Sequence, residues 1–153
     1  MTDPANPPKP FIVAHDDGED SRLRGAVLAI GNFDGVHRGH RTVVTAAIDQ
    51  ARTLGRPAAA LTFEPHPRRF LRPAEPLFRL TNETTKLRLL AGTGLDGARI
   101  MTFNAALASL SAEEFIRRVL VDRFAISGAT IGFDFHFGKD RRGSPEFLAA
   151  EGQ

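Results

Sequence analysis

The sequence contains no cysteine among its 153 residues. A disulfide framework, a thiol nucleophile and a cysteine-based zinc site are therefore excluded. No apolar run approaches the roughly 18 residues that a membrane-spanning helix needs. Residues 1–10, MTDPANPPKP, lack the basic start and apolar stretch of a signal peptide. We therefore expect a cytoplasmic protein with no membrane partner.

Tyrosine is absent as well, and this reconciles a small net charge with a high isoelectric point. The formal net charge is +2, yet the sequence pI is about 9.7. Because little titrates between histidine and lysine, a small positive surplus carries the pI far upward. The pI therefore gives no reason to expect a nucleic-acid partner. The sequence does not predict an oligomeric state.

Short apolar runs alternate with helical patterns along the chain. Residues 1–10 hold four prolines and are predicted to be a disordered tail, whereas residues 11–153 have the length of one domain. Buried strands are predicted at 26–30, 58–63, 98–103 and 129–132, with a short edge strand at 11–14. Helices are predicted at 39–54, at 82–91 with Thr81 or Asn82 as cap, from Ser111 with Glu114 in a capping box, and at 144–150. The alternation predicts an α/β fold with an open, mainly parallel sheet, and the chain ends on a helix where a further strand is due.

The segment 31–40, GNFDGVHRGH, lies between the first buried strand and the first long helix. A helix N-terminus at the carboxyl end of a sheet offers free N–H groups and a positive dipole, which suit a phosphate. His37 and His40 are three residues apart, so both lie on one face of the first helical turn. We interpret the segment as a phosphate site. Two alternatives stay open: a glycine-rich turn with surface histidines, or a metal pair that lacks an evident third ligand.

Residues 92–97, GTGLDG, match the spacing of a dinucleotide-binding fingerprint letter for letter. That fingerprint requires a strand before it and a helix after it. Here the order is reversed, because a predicted helix precedes and a predicted strand follows. We therefore interpret these residues as the turn that closes the helix at 82–91.

Two further segments follow predicted strands at the same sheet edge. Residues 64–70, EPHPRRF, form a loop in which two prolines restrict the backbone around His66, either as a rigid wall for a planar ligand or simply as a stiff loop. Residues 132–143, GFDFHFGKDRRG, interleave aromatic and basic side chains. This second segment suits a ring system that carries phosphates, or alternatively an edge strand with a basic turn.

Taken in order along the chain, several segments resemble one known family. They are GNFDGVHRGH, LTFEPHPRRF, RLTNETTKLRLL, LASLSAEEFIRRVLVDRF and GFDFHFGKDRRG. Together they resemble the N-terminal half of the bacterial bifunctional riboflavin kinase/FMN adenylyltransferases, the FAD synthetases. The histidine motif alone is shared by the large H-x-G-H nucleotidyltransferase superfamily, whereas its combination with EPHPRRF and FGKDRRG is specific.

The resemblance implies a Rossmann-like nucleotidyltransferase fold and the transfer of AMP from ATP to FMN, which gives FAD and pyrophosphate with Mg²⁺. It implies that His37 and His40 hold the ATP phosphates. It implies further roles by motif match: nucleotide binding by Gly31, Asn32, Phe33, Asp34 and Gly39; flavin binding by Pro65, Pro67, Asp134 and Phe135; and a basic phosphate loop of Lys139, Arg141 and Arg142.

One departure from the family pattern bears on activity. Family members continue into a further strand, a Ser-Ser-Thr-x-(Ile/Val)-Arg motif and a riboflavin kinase module, and no Ser-Ser or Ser-Thr pair occurs in this chain. The resemblance therefore implies an incomplete adenylyltransferase domain with no kinase activity. Two alternatives remain: a module that binds nucleotide or flavin without turnover, and a nucleotidyltransferase with another acceptor.

Overall fold

A five-stranded sheet forms the centre of the computed structural model, which describes residues 10–15, 21–75, 82–132 and 135–152. The strands are β1 (Ile12–His15), β2 (Val27–Ile30), β3 (Ala58–Glu64), β4 (Gly97–Thr102) and β5 (Gly128–Ile131). They lie in the order β1-β4-β3-β2-β5, and every neighbouring pair is parallel. The predicted α/β class with an open parallel sheet is therefore confirmed.

Helices cover both faces of the sheet. They are α1 (Arg38–Leu54), α2 (Pro67–Leu71), α3 (Glu83–Ala91), α4 (Ala105–Ala108), α5 (Ala112–Glu114) with a π-helical continuation (Phe115–Arg123), and α6 (Pro145–Glu151). Single 3₁₀ turns lie at Ser21–Leu23, Asp34–Val36 and Lys139–Arg141.

The period-two alternation of the strands divides the core into two layers. Val27 and Ala29 of β2 pack with α1 and α3, whereas Leu28 and Ile30 pack against the α5 segment and its π-helical continuation. All four β2 residues are buried, because helices cover both faces of this strand. Residues 31–40 therefore directly follow β2, a strand that is buried on both faces.

The direction in which successive strands are added to the sheet reverses at β2. From β2 the chain adds β3 and then β4 on one side, but β5 returns to the other side of β2. In open parallel sheets this reversal leaves a crevice beyond the carboxyl ends of the two strands, and ligands bind there. The segments that follow β2, β3 and β5 therefore come out side by side at one edge of the sheet.

The predicted elements are largely present, with small shifts. Asn82 and Ser111 cap their helices as expected, and Ser111 and Glu114 form the predicted capping box. The edge strand begins one residue late, and β5 begins and ends one residue earlier than predicted. Residues 1–9 and Thr81 lie outside the described residues, so the predictions for the tail and for Thr81 as a cap stay untested.

One prediction about a loop was wrong, and one short helix was not predicted. Residues 64–70 are not one loop, because α2 begins at Pro67, which needs no backbone N–H at the first helical position and has a φ suited to it. The short helix α4 was not predicted; Asn104 caps it by accepting a hydrogen bond from Leu107 N–H. By contrast, residues 92–97 are the turn from α3 to β4, as expected, and Gly94 has a φ of +99°.

Candidate functional site

The turn after β2 places the first candidate residues. Gly31 N–H still pairs with the Leu61 carbonyl of β3, at 3.1 Å, so the turn begins directly at the sheet. Phe33 then takes a left-handed backbone conformation, with φ 52° and ψ 34°, before the 3₁₀ turn. A non-glycine residue rarely adopts this conformation without support from its surroundings. The support comes from burial, because the Phe33 side chain is 1% exposed.

His37 is the N-cap of α1. Its Nδ1 accepts hydrogen bonds from the backbone N–H groups of Gly39, at 3.1 Å, and His40, at 3.4 Å. A nitrogen that accepts cannot carry the ring proton, so in this geometry the proton is on Nε2. The opposite edge of the exposed imidazole therefore presents an N–H donor, which can bond a phosphate oxygen.

His40 lies against His37 on the first turn of α1, as the spacing predicts. The two rings stack with centroids 3.6 Å apart and planes 22° apart. The Phe33 and His40 rings also contact each other in a T-shaped arrangement, with centroids 5.3 Å apart and planes at 76°. The two imidazoles thus form one continuous face at the positive end of a 17-residue helix.

Two glycines are required by this packing. A Cβ at Gly31 would lie 3.2 Å from the Phe33 ring, and a Cβ at Gly39 would lie 3.1 Å from the His37 ring. Both are closer than ordinary side-chain contacts, so a larger residue would move an aromatic ring. The glycines of the motif therefore serve the placement of Phe33 and His37. The Phe33 ring itself belongs to the core, so any contact of this residue with a nucleotide would involve its backbone.

A buried polar cluster beneath the turn was missed by the sequence interpretation. Lys86 of α3 is 1% exposed, and its Nζ lies 2.8 Å from the Glu64 carboxylate and 3.1 Å from the Asn32 carbonyl. The hydroxyl of Thr62 lies between them, bonded to both Lys86 and Asn32. A signal was present, because Lys86 is four residues before Leu90 and so lies on the apolar face of its helix, where a lysine is unusual.

The segment after β3 is short before it becomes helical. Pro65 is exposed, joined to Glu64 by a cis peptide bond, and Pro67 is half-buried at the start of α2. The His66 carbonyl accepts a hydrogen bond from Arg69 N–H at 2.9 Å. Both prolines thus lie at the same sheet edge as the histidine pair, as predicted, although their role stays a prediction.

The segment after β5 folds back on itself. Phe137 and Gly143 form an antiparallel bridge, and the half-buried Phe135 packs with Phe137 on the core around α5. Between them, the basic residues of the loop are all exposed; these are Lys139, Arg141 and Arg142. Asp134 lies outside the described residues. The segment therefore combines an aromatic base with a basic tip. Of the edge strand in the alternative interpretation, the described residues show only the single bridge between Phe137 and Gly143, and the ligand role stays a prediction.

Metal binding by protein side chains alone has little support in the described residues. Among them, no three histidine, aspartate or glutamate side chains form a group that could hold an ion. The metal-pair alternative for His37 and His40 thus finds no third ligand there.

Comparison with known proteins decides the family. A family model described as FAD synthetase matches residues 19–153, which includes all three segments at the sheet edge. The chain belongs to the FAD synthetase family. The FAD synthetase domain has the Rossmann-like nucleotidyltransferase fold, which agrees with the parallel sheet and with the histidine motif at the start of α1.

Curated relatives carry the same name in several bacteria. The chain is 43% identical over 129 residues to the bifunctional riboflavin kinase/FMN adenylyltransferase of Pseudomonas fluorescens, which is 84% of this chain and 41% of that protein. It is 39% identical over 119 residues to the protein of that name from Escherichia coli K12, which is 78% of this chain and 38% of that protein. The chain thus spans about two fifths of the length of these relatives.

A solved structure supports the fold of this FAD synthetase family member. A Streptococcus pneumoniae structure titled as a macrolide-efflux protein aligns with a TM-score of 0.75 and 26% identity, over 92% of this chain and 46% of that one. In the described part of the present chain, no helix is both long and apolar enough to cross a membrane.

Proposed function

We propose that this FAD synthetase family chain is an FMN adenylyltransferase, which transfers AMP from ATP to FMN. The observation that carries the proposal is the stacked His37–His40 pair at the N-terminus of α1, beside the crevice between β2 and β5. The names of the curated relatives support the same reaction, as does their share of identity with this chain.

The reaction needs no nucleophile from the protein. A phosphate oxygen of FMN attacks the α-phosphorus of ATP, an O–P bond forms, and the bond from that phosphorus to the bridging oxygen breaks. The electron pair leaves with pyrophosphate. The work of the protein is therefore to hold two anionic substrates in line and to offset their charge.

His37 and His40 supply donors for the ATP phosphates, together with the free N–H groups of the first turn of α1. The turn that includes Gly31, Asn32, Asp34 and the backbone of Phe33 borders the nucleotide. Mg²⁺ bound with ATP would supply further neutralisation of phosphate charge.

The residues proposed to bind the flavin come from both sides of this turn. Pro65 and Pro67 follow β3 on one side of β2, and Phe135 with Asp134 follows β5 on the other side. Exposed Lys139, Arg141 and Arg142 would approach a substrate phosphate. These roles rest on the family motifs and, for the residues other than Asp134, on position at the sheet edge.

The proposal is tested by incubating the purified chain with ATP, FMN and Mg²⁺ and measuring FAD by chromatography. FAD that forms in proportion to released pyrophosphate supports it. If calorimetry detects ATP and FMN binding but no FAD forms, the chain is a binding module and the proposed activity is wrong. If pyrophosphate is released only with another phosphorylated acceptor, the choice of FMN is wrong.

A further inference from the structure

Lys86 is a cation enclosed in the protein directly beneath the turn after β2. It is 1% exposed, and its ammonium group contacts four oxygens. These are Glu64 Oε1 at 2.8 Å, Thr62 Oγ1 at 2.9 Å, the Asn32 carbonyl at 3.1 Å and the Phe63 carbonyl at 3.5 Å. A buried charge persists only when it is paired and hydrogen-bonded, and here both conditions are met.

The contacts of Lys86 join three separate parts of the chain. Thr62, Phe63 and Glu64 form the carboxyl end of β3, Asn32 belongs to the turn after β2, and the lysine comes from α3. The cation therefore connects this turn to elements that are distant in sequence.

The Asn32 carbonyl is the decisive contact. It accepts from Lys86 Nζ at 3.1 Å and from Thr62 Oγ1 at 3.2 Å, so two donors fix the orientation of the peptide between Asn32 and Phe33. That peptide leads into the left-handed conformation of Phe33, with φ 52°. The Phe33 ring in turn meets His40 at 5.3 Å. A continuous series of contacts thus runs from Lys86 to the histidine pair.

We infer that Lys86 is a positioning residue that fixes the turn at residues 31–36 in its nucleotide-binding geometry, through the Asn32 carbonyl. Being enclosed, its ammonium group acts on the backbone and does not contact a phosphate. The Glu64 carboxylate balances the charge of Lys86. The Thr62 hydroxyl donates a second hydrogen bond to the Asn32 carbonyl. The nucleotide part of this inference rests on the proposed function, whereas the effect on the turn does not.

The first test needs no ligand. Hydrogen exchange is measured on the full chain at the hydrogen-bonded amides of Gly31 and Val36, for the parent and for Lys86→Met. We expect exchange at these amides to accelerate about tenfold or more in the variant. The control is Leu95→Ala. Leu95 is buried in the same core layer as Phe33, but it comes just before β4 and so lies at the amino end of the strands, away from the turn after β2.

If exchange at the Gly31 and Val36 amides rises equally in Lys86→Met and Leu95→Ala, Lys86 stabilises the whole fold and not this turn in particular. That result would overturn the inference. Exchange that stays unchanged in Lys86→Met would overturn it as well. If Lys86→Met does not fold, Thr62→Val tests the same contact through its second donor. It removes the hydroxyl that bonds both the Asn32 carbonyl and Lys86 Nζ, with little change in shape.

The second test separates ATP from FMN. We expect Thr62→Val to raise the KM for ATP about tenfold with the KM for FMN unchanged, and Thr62→Ser, which keeps the hydroxyl, to restore most of the loss. An equal rise in both KM values, or no rescue by serine, would overturn the positioning role. If the parent chain binds no ATP, the proposed function fails with the nucleotide part of this inference, and the exchange experiment still decides whether Lys86 fixes the turn.

Discussion

Two glycine-rich segments leave the same edge of the sheet, one after β2 and one after β5, and they are built in opposite ways. The turn at residues 31–40 is held from below by buried polar groups, and its two histidines stack on each other. The segment at residues 135–143 is held by Phe137, which is 8% exposed, and all its basic side chains project into solvent. We call them the β2 turn and the β5 segment.

With the proposed function, this difference predicts how much each segment would contribute to ligand binding. Donors held rigidly before a ligand arrives lose little conformational entropy on binding. Exposed lysine and arginine side chains must be ordered on binding, and solvent and salt screen their charge. We therefore expect the β2 turn to supply most of the specific binding and the β5 segment to supply a weaker, salt-dependent part.

The largest expected effect concerns the anchor of the β5 segment. Phe137 lies in the core with its ring 5.5 Å from that of Phe115, so Phe137→Ala should lower the free energy of unfolding by about 3–5 kcal/mol. Urea denaturation followed by circular dichroism measures this. His136→Ala is the matched control, since that neighbour is exposed and contributes one hydrogen bond, between its Nδ1 and the Gly143 carbonyl at 3.2 Å, so it should change stability by about 1 kcal/mol or less. Equal effects of the two changes would contradict the anchor.

His40→Ala tests the β2 turn itself. We expect FAD formation to fall by about 100-fold, or about 2.7 kcal/mol, since a phosphate-binding donor is lost from a rigid site. Stability should fall by only about 1 kcal/mol, because the ring contacts His37 and Phe33 but is not enclosed. Steady-state kinetics with thermal denaturation measures both. Arg41→Ala, an exposed neighbour, is the control, and a similar loss of activity there would contradict a specific role for His40.

His37 has two tasks that substitution can separate. His37→Ala removes the N-cap of α1 and should lower the free energy of unfolding by about 1 kcal/mol. His37→Asn keeps a capping oxygen and should restore this stability, yet its activity should stay low because the outward imidazole donor is gone. Urea denaturation combined with FAD assays checks the pair. Full activity in the asparagine variant would show that the histidine acts only as a cap.

The smallest effects are expected at the tip of the β5 segment. Single changes of Lys139, Arg141 and Arg142 to alanine should raise the KM for ATP or FMN by about threefold each, with stability unchanged, because the side chains are exposed. The effect should shrink as ionic strength increases. KM values measured at low and high salt provide the check. A loss as large as that of His40→Ala, or one insensitive to salt, would erase the distinction between the two segments.

Local sequence signals predicted most of the fold. Continuous apolar runs marked the central strands, and Asn82 and Ser111 marked helix starts by chemistry that involves only a few neighbouring residues. The histidine spacing predicted that both rings share one face of the first turn of α1. Such features depend on contacts between residues close in sequence, so the sequence alone is enough to predict them.

Features that depend on distant contacts were not predictable in the same way. Residues 64–70 were predicted as a loop because Pro65 and Pro67 flank His66, although proline is also suited to the first position of a helix. Lys86 was placed on a helix without a role, because its four oxygen contacts come from β3 and from the turn after β2. Nothing local in the sequence brings those oxygens together.

The family, the parallel α/β class and the three segments of the candidate site follow from motif, periodicity and strand-end position in the sequence. The strand order β1-β4-β3-β2-β5 follows only from the folded sheet, and it sets the β5 segment directly beside the β2 turn. The same holds for the left-handed Phe33 and the buried Lys86 beneath it. The physical reason is that a strained backbone and an enclosed charge are stable only when oxygens and apolar surface from distant parts of the chain surround them.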